Sequence, residues 1–160
     1  MPGPTAKELE FIDRFGLCFE KLGGTRTMGR IYAWLMICGA QQQSLTELAA
    51  ALGVSKASIS TVIRPMEEAG LALRLPAPGR QHSYRVAPGG VTRMLQVQFA
   101  RMRLGAEVAE FGLSVLGKDR AAQRERLAEF RDFCEFTADE VGQELLTRWE
   151  QYRAKKRRKR

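Results

Sequence analysis

Ser44 to Arg85, SLTELAAALGVSKASISTVIRPMEEAGLALRLPAPGRQHSYR, constrains the fold more than any other part of the chain. Ser44 and Glu47 have the Ser-x-x-Glu spacing in which each residue satisfies a free backbone donor at a helix start. Leu45, Leu48, Ala49 and Leu52 then recur at three- and four-residue steps, and Gly53 supplies a left-handed stop. Ser55 can cap a second helix whose inward stripe reads as Ile59, Val62 and Met66, with Lys56, Ser60, Thr61 and Arg64 facing outward. After Gly70, Leu71 to Leu75 alternates weakly as a strand, Pro76-Ala77-Pro78-Gly79 turns, and His82 to Val86 returns. Two short helices, a tight turn and a ribbon outline a winged helix-turn-helix. An ordinary helical hairpin with solvated Ser and Thr would share the first half of this pattern but not the ribbon.

At 160 residues the chain is long enough for one domain with a real core. Cys18, Cys38 and Cys134 lack CxxC spacing and lie among apolar residues, as expected of reduced, mostly buried thiols in a cytoplasmic protein. The N-terminus has no apolar signal core, and the apolar run Ile31 to Ala40 is too short to span a bilayer, so no membrane partner is expected.

The formal charge of +8 suggests nucleic acid, yet seven of the 26 cations fall in residues 153–160; without them 19 cations face 18 acids, a net +1. Between Ala40 and Gly90 there are five cations and three acids, so the weak positive bias of the body falls on the helix-turn-helix. The run RAKKRRKR itself is too charged to pack and reads as a disordered or frayed extension, either solvated or adding nonspecific phosphate affinity.

Thr5 and Glu8 repeat the capping-box spacing and open a first helix of about 17 residues that stops at Gly23-Gly24. Its Phe11, Phe15 and Phe19 form a packing ridge. Thr25 caps the next helix, in which Met28, Ile31, Leu35 and Cys38 define one buried face while Ala33, Trp34 and Ile37 make the other side apolar too. Gln41-Gln42-Gln43 reads as a polar link. Beyond Pro88-Gly89-Gly90, a long helix from Val91 to about Leu116 carries two apolar stripes. One contains Leu104, Val108, Phe111 and Val115, the other Met102, Ala106, Ala109 and Leu113, which is more than one small domain can cover. Asp119 can cap a helix with Leu127, Phe130, Phe133 and Cys134, and Thr137 with Glu140 reads as a third capping box before Val141, Leu145, Trp149 and Tyr152.

The fold class is therefore mainly α with a small β-wing, a winged helix-turn-helix framed by N- and C-terminal helical dimerisation regions. The expected divisions are residues 1–39, N-terminal helices; 40–88, the winged DNA-binding module; 89–152, a C-terminal helical dimerisation region; and 153–160, a basic tail.

MGRIYAWLMI (Met28 to Ile37), SLTELAAALGVSKASIST (Ser44 to Thr61) and PGRQHSYR (Pro78 to Arg85) together resemble the GbsR-like branch of the MarR family of bacterial transcription regulators, over roughly residues 10 to 90. The resemblance implies a homodimer with interlocked terminal helices, two winged modules for a palindromic operator in double-stranded DNA, and regulation by a small-molecule effector or partner. Two departures matter: Pro65 removes a backbone donor inside the second helix and should bend or loosen its end, and the wing is short.

In a sequence-specific regulator of this kind, Lys56, Ala57, Ser60 and Thr61 face base edges, Ser55 and Arg64 serve bases or phosphates, and Arg80 enters the minor groove. Two alternatives remain open: a winged-helix protein-interaction module without specific DNA binding, and a thiol-based redox sensor using Cys18 or Cys38. Tyr32 and Trp34 could line a pocket for a cationic ligand, with Trp149 and Tyr152 as further aromatics, though packing explains the same residues. An enzyme has little support, because the only histidine, His82, lies on the wing and no phosphate-loop spacing occurs; no metal or cofactor is expected.

Overall fold

A computed structural model describes residues 3–77 and 81–158. The chain divides into two compact units, Met1–Arg93 and Met94–Arg160. It is mostly helical with one small antiparallel sheet, the winged-helix architecture expected from sequence.

The first unit opens with α1 (Ala6–Lys21) and α2 (Arg26–Ile37). The Thr5–Glu8 capping box forms as the spacing predicts: the Thr5 amide donates to Glu8 Oε2 at 2.7 Å and the Glu8 amide to Thr5 Oγ1 at 3.3 Å. Two small residues let α1 and α2 cross closely, since a Cβ built on Gly29 would lie 2.8 Å from the Gly16 Cα. The phenylalanine ridge packs on Tyr32, with ring centroids 6.1 Å away for Phe15 and 6.5 Å for Phe19. Arg30 bridges three elements, pairing through Nε with Asp13 of α1 at 2.8 Å and donating from Nη2 to the Leu52 carbonyl at 3.0 Å.

Next come β1 (Gln43–Ser44), α3 (Leu45–Leu52), α4 (Lys56–Glu68), β2 (Ala72–Ala77) and β3 (Gln81–Val86). The strands order as β1-β3-β2, with Gln43 opposite Tyr84 and Arg74 opposite Tyr84 on the other side. Gly53 closes α3 at φ +65°, the left-handed turn its position requires. Ile12, Ile31, Leu48, Ile59, Met66 and Leu71 are sealed from solvent and form the core of this unit.

Three expectations are corrected in this unit. Gln43 is no loose link: it pairs in β1 and is 2% exposed. Ile63, not Val62, completes the buried stripe of α4, because Ile59, Ile63 and Met66 lie at four- and three-residue steps while Val62 is only half-buried. Pro76 belongs to β2 opposite His82 rather than to the turn; as a strand at the sheet edge, β2 can accommodate a residue without an amide donor. α4 runs on through Pro65 to Glu68, and Pro65 is exposed.

The second unit contains α5 (Gly90–Val115) from Met94 onward, α6 (Ala121–Phe136), a π-helical turn (Thr137–Val141) and α7 (Gly142–Arg157). Small residues again set the contacts. Gly105 faces Cys134 Sγ, Gly112 faces Leu127 and Gly142 faces Phe99. Arg124 Nη1 donates to the Leu113 and Leu116 carbonyls and so caps α5 from α6.

Of the two stripes on α5, Ala106, Ala109 and Leu113 are buried, whereas Leu104, Val108, Phe111 and Val115 stand in solvent, Val108 at 70% and Phe111 at 69% exposure. Asp119 caps nothing: α6 starts after Arg120 with no side-chain cap. Thr137 does not open a new helix either, since its hydroxyl donates back to the Phe133 carbonyl at 2.7 Å and the chain runs through the π-helical turn without a break. The basic run is helical as far as Arg157, not frayed from Arg153. The cysteines differ from one another: Cys134 is buried, Cys38 half-buried and Cys18 exposed.

Candidate DNA-binding surface

The side of α4 opposite Ile59, Ile63 and Met66 is built from short polar and cationic residues. Lys56, Ala57, Ser60, Thr61 and Arg64 are all exposed. Ser55 is the N-cap and accepts from the Ser58 amide at 3.1 Å, with the two hydroxyls 2.9 Å apart, so Ser55 is committed to starting the helix. Thr61 Oγ1 donates to the Ala57 carbonyl at 3.0 Å, which leaves its lone pairs as acceptors on the outer face. The Ser60 hydroxyl, exposed on the same face, can both donate and accept.

Arg64 Nε pairs with Glu68 at 3.2 Å, one turn further along. With Arg64 82% exposed, this pair contributes little and a phosphate can displace the carboxylate. Sequence reasoning missed Glu68, although its i, i+4 spacing from Arg64 is signal enough to find it. Arg80 lies outside the described residues, as do Pro78 and Gly79.

Lys56 also lines a shallow groove with Ser44 and Thr46 at the start of α3 and Gln81 and His82 on β3. Sequence reasoning missed this grouping as well. The pairing of β1 with β3 brings His82 and Gln81 beside the α3 N-terminus, and no local pattern announces a two-residue strand.

The structure does not bring Tyr32 and Trp34 to one cavity. Tyr32 is packed against Phe15 and Phe19, and burial raises its hydroxyl pKa. Trp34, also buried, borders a separate cleft with Gln43, Thr46, Glu47, Ala50 and Ala51.

Similarity to known proteins decides the family. HTH-type transcriptional regulator MmpR5 of Mycobacterium tuberculosis (strain ATCC 25618 / H37Rv) is 32% identical over 138 residues, spanning 86% of this chain and 84% of that protein. The family model for MmpR5-like MarR family transcriptional regulators matches residues 89–152. This chain belongs to the MarR family. A crystal structure of a transcriptional regulator aligns with a TM-score of 0.80 at 32% identity, covering 91% of this chain and 99% of that one. The MarR family is the one the sequence resembles; the matching branch is MmpR5-like, and the GbsR-like branch is not supported. As a MarR-family member the chain is a transcriptional regulator, which implies DNA binding. Among the described residues no helix is long and apolar enough to cross a membrane.

Proposed function

We propose that this regulator acts in the cytoplasm as a homodimer on a palindromic operator, with α4 of each copy in a major groove. The observation that carries the reading is the outer face of α4: Lys56, Ser60, Thr61 and Arg64 are exposed together on a helix whose opposite face is sealed into the core. Small hydroxyls and cations at that spacing suit base edges and flanking phosphates. Lys56, Ala57, Ser60 and Thr61 read bases, Arg64 exchanges Glu68 for a phosphate, Ser55 holds the helix start and Arg80 reaches the minor groove. The groove of Thr46, Lys56, Gln81 and His82 adds a phosphate contact beside α4.

Pairing follows from the exposed stripe Leu104, Val108, Phe111 and Val115, whose seven-residue recurrence suits a partner helix. Two copies would set their α4 helices about 34–36 Å apart, one turn of DNA. A small apolar or cationic effector would enter at the Trp34 cleft, which Glu47 also lines.

Selection of bound duplexes from a random pool, followed by footprinting of the winner, tests the whole reading. A symmetric site with half-sites about 10 base pairs apart is the expected result. Ser60→Ala and Thr61→Val should each cost about 1–3 kcal/mol on that site and relax preference at one position. Recovery of no preferred sequence, or equal binding by both variants, would overturn it.

A further inference from the structure

The last two turns of α7 form a cationic arm. Arg153, Lys155, Lys156 and Arg157 are exposed on a continuous helix whose C-cap is the exposed Arg158, and Ala154 is the only uncharged residue from 153 to 158. Among the described residues none of these five has an acidic partner within ion-pair distance, although Arg148 one turn earlier is paired with Glu144 at 3.1 Å. Side chains at the base of the arm pack on one another along α7. Trp149 and Tyr152 stack at 6.0 Å, and Lys156 Nζ sits 5.7 Å from the Tyr152 ring, contacts that favour the helical form of the turn from which the cations project.

One further observation marks this arm out. Without residues 153–160 the chain carries a net charge close to zero. A regulator whose body is nearly neutral has little long-range attraction for DNA, so the arm is where phosphate attraction is concentrated.

We propose that the arm is a second DNA-binding surface, separate from α4, that grips the phosphates of duplex DNA without reading sequence. Its partner is a polyanion and not a bilayer. Cations surround the helix from Arg153 to Arg158, leaving no apolar face to enter a membrane. Six residues rise about 9 Å, which matches about three phosphates of one strand at about 3.4 Å each.

The inference rests on the reading of the chain as a DNA-binding dimer, and the test keeps the two apart. In the full chain, Arg153, Lys155, Lys156, Arg157 and Arg158 are changed to Gln, preserving length and helix propensity. Affinity for a random-sequence duplex and for the selected operator is then measured across salt. Every phosphate released from an arm lowers the salt slope by about 0.9, hence by about 2.7 for one arm and about 5.4 for both arms of a dimer, so that between about 50 and 200 mM salt the parent weakens at least about 40-fold more than the variant. Preference for operator over random duplex stays as in the parent. An unchanged slope on both duplexes would overturn the arm while leaving α4 recognition standing. Loss of operator preference in the parent itself would overturn the proposed function instead. Vesicles of phosphatidylcholine with phosphatidylserine provide the third comparison; parent binding to them that exceeds duplex binding, and that the variant lacks, would reassign the surface to lipid.

Discussion

Trp34 donates its indole N–H to Oε1 of Gln43 at 3.3 Å, with both side chains buried. One residue of a polar triplet thus satisfies the polar atom of the largest side chain on α2, and the same residue pairs with Tyr84 to add a third strand to the wing. Gln43→Leu would strand the indole N–H in the core. A loss of about 1–3 kcal/mol is expected from a buried donor left unpaired. Urea unfolding checks it, and Gln42→Leu, at an exposed neighbouring position, should change little.

The two capping boxes give the molecule an acid-sensitive element. At α3 the Ser44 amide donates to Glu47 Oε2 at 2.7 Å, and bonding to the Ser44 backbone and hydroxyl holds the Glu47 carboxyl below its ordinary range. Because the folded pKa is the lower one, this contribution is fully present above the unfolded value and is lost as pH falls through the folded value. Glu47→Gln should flatten the acid limb of the stability curve, measured by thermal melts between about pH 3 and 6. Ser44→Ala removes the N-cap acceptor and should cost about 0.5–2 kcal/mol at neutral pH.

Close crossing of α1 and α2 depends on Gly29. A Cβ there would meet the Phe19 Cβ at 2.6 Å and the Gly16 Cα at 2.8 Å, backbone and side-chain root that cannot swing away. Gly29→Ala should therefore destabilise the fold by about 1–3 kcal/mol despite the better helix propensity of alanine. Gly39→Ala, where a Cβ meets nothing, serves as the control.

The pairing proposed through α5 has a direct test. Val108→Asp with Phe111→Asp places two charges on the exposed stripe without touching Ala106, Ala109 or Leu113 beneath. Light scattering should report one chain per particle in place of two. Operator affinity should fall about 10²- to 10⁴-fold as the second half-site loses its tether, while helix content is kept.

Thiol chemistry should not control binding. Burial raises the Cys38 pKa and so lowers its thiolate fraction, and Cys134 is sealed beneath Gly105. Peroxide should leave operator affinity of the parent and of a Cys18→Ser variant alike; a peroxide response that Cys18→Ser abolishes would revive the redox reading.

Much of this molecule was legible because its signals are local. Thr5, Thr25, Ser44 and Ser55 each announce a helix start, and each caps one. Gly53 likewise marks a left-handed stop by itself. What escaped depends on partners distant in sequence. Gln43 is a strand residue only because β3 returns beside it, and Ile63 outranks Val62 only because the core lies on that side. Thr137 imitates a capping residue, but its hydroxyl finds the Phe133 carbonyl and the helix continues. The outer face of α4 was legible as a pattern, whereas the groove joining Lys56 to His82 required the sheet.

With the pairing proposed above, the open stripe from Leu104 to Val115 would make abundance part of how this regulator works. Operator occupancy would then rise with the square of protein concentration while single chains predominate, so a modest change in synthesis becomes a steep change in transcription. The melting temperature should climb with concentration for the same reason, since the partner is itself a ligand of the folded chain. On that proposal, four apolar side chains left in water would act as a threshold counter, insensitive to a few stray copies and responsive once enough chains have accumulated.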